Sequence, residues 1–563
     1  MHERASDLKI LFDQKKYTEI IEMIENDIKD EDINSGLINL LGVCKILRDN
    51  TRISLKEAIN DFRKAYIRER NTKNAFEALK NLINVSMELF DLDFKENINN
   101  FPRKLFEEIF SYLNENKSLF ETEEEFALAI IRVFKRTLDV ESVIYYLEKF
   151  INSKNPDVLC SLLYHNSFEN NWDQKRFFET AKKINEKFTQ YSEDELVPLS
   201  SVKKEKISIG FVSSDIRNNH SITHFLKSIL IDKKRDEFNI YLFLNIKDED
   251  NTTEEFKNLV DKSVNIYGLN DVEAINTIRR LEMDIIFDMM GVTSHQKLLL
   301  FKNRIAPIQI SWCGFCNTTG LSEMDYIIAD KHTIMKEEEN LYSEKIIFMP
   351  NIWNCHSGFK TLRKECNLPA KKNNFITFGS FNNFKKINDD VIRVWSQILL
   401  KVKNSKLILK ASTNCSSDFL LDKFKIYGVV SSVNIIPYKK DFNDHISEYK
   451  QIDLALDTFP YNGVTTSFEA IWMGVPVLTM DGQNFNSRCG ASINMNLKLT
   501  SLIAENKEDY VLKAVNLSQN LSELENFRKY IFDKAISSPL FNIKNFSNDF
   551  YNCLENIYNK KND

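Results

Sequence analysis

From residue 1 to about 195, apolar positions recur every three to four residues, and Gly and Pro are sparse. That spacing lays an apolar stripe along each of a series of helices. Leu40, Leu41 and Gly42, followed by Ala58, Phe62 and Ala65, are placed as in a tetratricopeptide repeat. In such a repeat, small residues sit where paired helices touch and large ones fill beside them. Leu8 to Ile24 reads as another helical pair around Tyr17. The stretch Asp49–Ser54 reads as an insertion between two helices, so degenerate repeats and a generic bundle both stay open. Residues 100–190 show helices without a recognisable repeat.

The pattern changes near residue 200, where Pro198 and the charged run 202–206 suggest a linker. Short apolar runs then alternate with amphipathic helices. Strands are expected at Ile207–Val212, Ile240–Leu244, Ile285–Met289, Ile308–Trp312 and Tyr326–Ala329. After Asn373 the alternation restarts with Phe375–Phe378, Lys406–Leu409, Val433–Ile436, Leu454–Leu456 and Val475–Leu478. Helices such as Asp390–Val402 and Ser467–Met473 lie between these strands. Two βα series in succession predict two doubly wound α/β domains facing a cleft, with ligands at the carboxyl ends of the strands. The expected division is a helical region over 1–198, lobes over 199–370 and 371–540, and a C-terminal helix over 541–563.

Composition narrows the function. The chain has 563 residues, 43 % of them hydrophobic, and a net charge of −6. A general nucleic-acid binder would carry a basic surplus, so no nucleic-acid partner is expected. The opening MHERASDLKI has no apolar core of a signal peptide, and no run of about 18 apolar residues follows, so no membrane insertion is expected. The nine cysteines are scattered and odd in number, which fits a reducing cytoplasm better than a disulfide framework.

The segment Asp457–Glu469, DTFPYNGVTTSFE, carries the most chemical information. A buried strand runs into a glycine loop, then Thr465 and Thr466, then a helix. Free N–H groups at that helix start, with two hydroxyls, suit a diphosphate. Glu469 lies one turn in and could accept from ribose hydroxyls. The competing reading is a plain helix cap. Loop Phe378–Ile387, containing Asn383 and Lys386, follows the first strand of the second series, and a lysine there can neutralise phosphate. Loop Ser213–His224 follows the first strand of the first series and brings His220 toward the cleft. For each of these two residues the bland alternative is a solvated lysine and a structural histidine. Trp312-Cys-Gly-Phe-Cys316 has the spacing of a redox motif but follows a late strand of a long βα series, so a redox role is not expected. Asp248/Asp250 and Asp91/Asp93 have the spacing of metal-binding transferases but lie in charged or helical surroundings; they are read as solvated charge, and no metal site is expected.

Taken in order, IGFVSSD, RIAPIQISWCGFCNTTGLSEMDYIIAD, YSEKIIFMP, FITFGSFNNFKKI, LALDTFPYNGVTTSFEAIWMGVPVLTM and LIAENKEDY resemble glycosyltransferase family 41 from about Ile207 to Tyr510. That family includes the protein O-GlcNAc transferases and the plant O-fucosyltransferase SPINDLY. The resemblance implies a GT-B fold, two Rossmann-like lobes preceded by helical repeats. It implies roles residue by residue. His220 falls beside the reaction centre, as base or as sugar-orienting group. Lys386 binds the donor diphosphate together with Thr465 and Thr466. His445 packs on the base, Glu469 takes the ribose, and Gly314 belongs to a Trp-X-Gly element near the donor sugar. Asn383 joins them as a donor-loop residue. Val464 and Phe442 depart from the histidine and lysine of O-GlcNAc transferases, and Glu469 stands where those enzymes have aspartate.

The activity so implied is inverting, metal-independent transfer of a sugar to Ser or Thr of a protein acceptor, with no cofactor beyond the nucleotide-sugar. UDP-GlcNAc is the first choice of donor and GDP-fucose the alternative. The helical region would hold part of the acceptor. The rival class is a non-catalytic helical adaptor.

Overall fold

The computed structural model describes residues 2–28, 32–95, 103–169, 173–199, 204–218, 220–232, 234, 236–359, 363, 367–411, 417–439 and 441–562. By internal contacts the chain divides into two compact units, residues 1–150 with 412–419, and residues 151–411 with 420–563. Part of the linker run at 202–206 lies outside the described residues.

The first unit is all helical among its described residues. Helices Ser35–Asp49 and Arg52–Arg68 pair through Gly42, where an added Cβ would lie 2.7 Å from the Phe62 ring. Only Asn50 and Thr51 separate these helices. Asn50 closes the first in the left-handed conformation, and Thr51 opens the second through a capping box with Ser54. The expected insertion is therefore the helical turn itself: Asp49 ends one helix, and Arg52 begins the next. Lys45 is buried between Asp61 and Glu25, 2.9 Å from each.

The second unit holds two parallel sheets. The first contains β1 (Ile207–Ser213), β2 (Phe238–Leu244), β3 (Lys262–Asn265), β4 (Ile285–Asp288), β5 (Ile308–Ser311), β6 (Tyr326–Asp330) and β7 (Lys345–Met349). Its order is β3-β2-β1-β4-β5-β6-β7. The second contains β8 (Thr377–Ser380), β9 (Lys406–Lys410), β10 (Val433–Ile436), β11 (Leu454–Leu456), β12 (Val477–Met480) and β13 (Ile503–Ala504), in the order β10-β9-β8-β11-β12-β13. Both are doubly wound α/β sheets, as expected for GT-B. Strand order reverses between β1 and β4 in one sheet and between β8 and β11 in the other. The loops leaving the carboxyl ends of those four strands are where such folds bind ligands.

Strands β3, β7 and β13 were not expected. β3 (KSVN) is an edge strand with exposed ends and no apolar run, and β13 is two residues long. The last helix, Ile543–Asn562, returns to the first sheet. Phe546, Phe550, Tyr551 and Leu554 join Ile209, Phe287 and Trp312 in one buried cluster, and Tyr551 donates to the Ile229 carbonyl at 3.0 Å. Helices Pro156–Asn166 and Gln174–Asn185 also belong to this unit. A Cβ at Gly320 would meet the Ala181 backbone at 2.5 Å, and Gln174 Nε2 donates to Asn317 Oδ1 at 2.9 Å.

Candidate active site

Two loops at the switch point of the second sheet carry most of the expected residues. The loop after β11 is pinned by Asp457, a buried carboxylate. It accepts from the Gly463 amide (2.7 Å), the Thr458 amide (2.9 Å) and Thr479 Oγ1 (2.8 Å). Burial pushes Asp457 up to about 6, against the stabilising pull of the Gly463 amide. The loop leads into helix Thr465–Trp472. Val464, not a threonine, sits at its N-cap and no side chain caps it. Glu469 turns elsewhere, so the cap reading of Thr465, Thr466 and Glu469 is wrong. The Ser467 amide turns back to the Val464 carbonyl, and the Thr465 and Thr466 amides at the helix start have no side-chain cap and can serve another acceptor.

The loop after β8 faces this helix. Asn382 Oδ1 accepts from Thr466 Oγ1 at 2.9 Å, and Asn382 Nδ2 reaches Ser380 Oγ at 3.2 Å. Gly463 permits that contact: an added Cβ would stand 2.5 Å from Thr466 Oγ1 and 2.7 Å from Asn382 Oδ1. Asn383 accepts from the Lys385 amide at 3.1 Å and shapes the 3₁₀ turn Phe384–Lys386. Lys386 Nζ then donates to the Asn462 carbonyl at 2.7 Å and lies 4.2 Å from the centre of the Tyr461 ring. Burial lowers Lys386 to about 8, with Asp457 opposing. Tyr461 is stacked on Phe168, ring centres 5.1 Å apart, so the segment just after helix Pro156–Asn166 backs the lysine loop.

Glu469, His445, Tyr449 and Lys410 form a second buried group. Glu469 Oε2 accepts from Tyr449 Oη (2.8 Å) and pairs with His445 Nε2 (2.9 Å), while Lys410 Nζ meets His445 Nδ1. Burial raises Glu469 to about 7 and lowers Lys410 to about 8. Phe442 stacks on Phe359, ring centres 5.1 Å apart, and lies 5.6 Å from His445.

From the first sheet, His220 stands at the start of helix Ser221–Ile231. Its Nε2 is 3.3 Å from Asp215 Oδ1, and its Nδ1 has no hydrogen-bond partner among the described residues. Burial lowers its pKa against the pull of Asp215, so the ring is neutral at pH 7 with its proton directed to the carboxylate. Gly314 is required by packing: a Cβ would lie 2.0 Å from the Met289 carbonyl, where the loop after β5 crosses the end of β4. Cys313 and Cys316 are free thiols, and burial pushes Cys313 well up, away from the thiolate a redox motif needs. The lobes meet through Arg488, whose Nη2 donates to Glu338 Oε1 at 2.9 Å, and through Ser492, which donates to Asp330 at 2.7 Å.

Of the Asp-X-Asp residues, Asp248 is exposed, as solvated charge is, and the other three are engaged. Asp91 pairs with Arg136 at 2.7 Å, and Asp93, buried, with Arg52 at 2.6 Å. Asp250 caps helix Asn251–Leu259 through the Thr252 and Thr253 amides. Residues missed from sequence are Asn382, Asp457, Lys410, Tyr449 and Tyr461. Asn382, Asp457 and Tyr461 stand inside the motifs FITFGSFNNFKKI and DTFPYNGVTTSFE, and position after a strand end was the signal available. No helix among the described residues is long and apolar enough to cross a membrane.

Comparison with known proteins places this geometry. The tomato (Solanum lycopersicum) protein named "Probable UDP-N-acetylglucosamine--peptide N-acetylglucosaminyltransferase SPINDLY" is 31 % identical over 370 residues, 64 % of this chain and 39 % of its own length. The protein of the same name from Arabidopsis thaliana is 31 % identical over 362 residues, 63 % of this chain and 40 % of its own. The chain thus spans about two fifths of the length of the curated relatives it matches. A mutant O-GlcNAc transferase from Thermobaculum terrenum has the same fold, with a TM-score of 0.75 at 20 % identity over 93 % of this chain and 98 % of that one. The description of Glycosyl transferase family 41 matches residues 182–364 and 354–550, which span both sheets and every loop just described, and the chain belongs to that family.

Proposed function

We propose that this chain transfers a sugar from a nucleoside-diphosphate sugar to Ser or Thr of a protein acceptor, with inversion, and that UDP-GlcNAc is the donor. The observation that carries the reading is one convergence at the second switch point. The half-buried ammonium of Lys386 comes from one loop and the uncapped start of helix Thr465–Trp472 from the other. A departing nucleoside diphosphate gains negative charge as the glycosidic bond breaks. Prepositioned donors aimed at that charge are typically worth about 2.7–4 kcal/mol each. Lys386 and the helix start supply them from the chain's own groups, so no metal is needed.

The acceptor hydroxyl must lose a proton. Neutral His220, its Nε2 proton held toward Asp215, keeps Nδ1 unprotonated and serves as base or as a sugar-orienting group. Glu469 and His445 hold the nucleoside. The names of the relatives support UDP-GlcNAc and a peptide acceptor. GDP-fucose is the runner-up, favoured by Val464, Phe442 and Glu469. The helical first unit offers an extended surface for an acceptor. A cytoplasmic setting fits the seven free cysteines among the described residues.

The test is a donor panel, with mass spectrometry of acceptor proteins and calorimetry of UDP-GlcNAc and GDP-fucose on one sample. GlcNAc on Ser or Thr, persisting in EDTA, is expected. Binding of only the guanosine nucleotide, with fucose on the acceptor, makes the runner-up correct. Failure of every donor to bind, transfer or hydrolyse leaves the adaptor reading.

A further inference from the structure

Lys410 has no assigned role, yet its placement is costly. It closes β9 at the carboxyl end of the sheet, its residue is 5 % exposed, and no carboxylate among the described residues lies within ion-pair distance of its ammonium. A buried ammonium without a counter-ion is expensive unless its N–H groups find acceptors. Nζ is 5.7 Å from the Phe381 ring centre and 5.9 Å from that of Tyr438, and it meets His445 Nδ1. Three donors are available, and among the described residues His445 accepts one.

The bonds also settle the imidazole. As an ammonium, Lys410 can only donate, so in that form Nδ1 is the acceptor and the ring proton is on Nε2, directed to Glu469 Oε2. His445 is thus clamped at both edges, with a cation on one side and a carboxylate on the other. A flat ring lying on this imidazole turns one edge toward the ammonium. An oxygen acceptor there would satisfy the remaining donors; an amino group would face them and leave both sides unpaired.

We propose that Lys410 is a specificity-determining residue that selects a nucleobase carrying a ring carbonyl, uracil or guanine, over adenine, which has none. The inference rests on the reading of this cleft as a nucleotide-sugar site. It assigns Lys410 to the base and leaves the diphosphate to Lys386.

The experiment is calorimetry of UDP, GDP, ADP and inorganic pyrophosphate on the full chain and on Lys410→Met, with Lys410→Arg as the charge-keeping control. In Lys410→Met, affinity for whichever of UDP and GDP the wild type binds should fall about tenfold or more, the scale of one charged hydrogen bond. ADP and pyrophosphate should each stay within about threefold, and Lys410→Arg should keep the preference. If Lys410→Met does not fold, Lys410→Gln carries the same comparison. Equal loss for all ligands, or an unchanged UDP-to-ADP or GDP-to-ADP ratio, overturns this inference alone. If the wild type binds neither UDP nor GDP, the proposed function fails and takes the inference with it.

Discussion

The two ends of the second lobe's cleft hold one lysine each, Lys386 half-buried and Lys410 buried, and use it in opposite ways. Around Lys386 the direct contacts are a backbone carbonyl and an aromatic face, with hydroxyl and amide groups opposite. Among the described residues, no ionised partner in contact answers the positive charge at that end. Around Lys410 the chain Lys410–His445–Glu469–Tyr449 runs from cation through an imidazole to a carboxylate. The first arrangement gains most when negative charge develops in a ligand. The second is tied through His445 to a carboxylate and leaves donors that a neutral acceptor can fill, so it sets shape and orientation. Under the proposed function, charge left open serves the reaction, and charge relayed through His445 serves recognition.

Replacing Lys386 breaks the contrast most severely. Lys386→Ala should lower turnover roughly 10²–10³-fold without loss of folding, since it removes a charge-stabilising group from the transition state. Steady-state kinetics beside a thermal melt would show it; near-normal turnover contradicts the assignment. The titration of the two lysines sharpens the comparison next. Both lose their proton near pH 8 in the free chain. The specificity constant kcat/KM should therefore fall as pH rises through about 8. In Lys386→Arg the part of that alkaline limb belonging to Lys386 should vanish, because arginine stays charged. What remains of the limb belongs to Lys410.

A smaller effect is expected from Gly463→Ala, whose methyl would displace the Thr466–Asn382 hydrogen bond. Loss of a bond worth about 1 kcal/mol predicts a drop in donor affinity of about fivefold, read by calorimetry. Glu469→Gln probes the Lys410 end through stability. Burial raises the folded-state value of Glu469 from 4.5 to about 7, so the folded chain holds more protons than the unfolded one within that window. Its contribution to stability falls as pH rises from 4.5 to 7. Denaturant midpoints of the wild type should drop relative to Glu469→Gln across that range; parallel curves would contradict the burial argument.

The end around Lys386 was largely legible in the sequence; at the other end Glu469 and His445 were named, and Lys410 and Tyr449 were not. Lys386, Thr465 and Thr466 follow strand ends, where position alone advertises a ligand. Lys410 is the last residue of the apolar strand LILK and resembles any strand-terminal lysine. Tyr449 sits in the polar stretch SEYKQ. Their meeting depends on side-by-side placement of β9, helix Phe442–Ser447 and helix Thr465–Trp472, which no local pattern encodes. The same holds for Asn382 beside Asn383: two identical neighbours, one spent on the 3₁₀ turn and one on Thr466. Fold class was clearer because β1, β2, β4 and β5 are buried apolar runs, whereas β3 has no such run.

The return of helix Ile543–Asn562 to the first sheet has a consequence for biosynthesis. Phe546 and Phe550 pack against Trp312, beside the loop that carries Gly314. The first lobe's strands end at Met349, so on the ribosome they wait for some two hundred further residues before their core is covered. At ordinary elongation rates that interval is roughly 10–40 s. During it, the apolar face around Phe287 and Trp312 stands open to chaperones, and the second lobe can fold before the first is sealed.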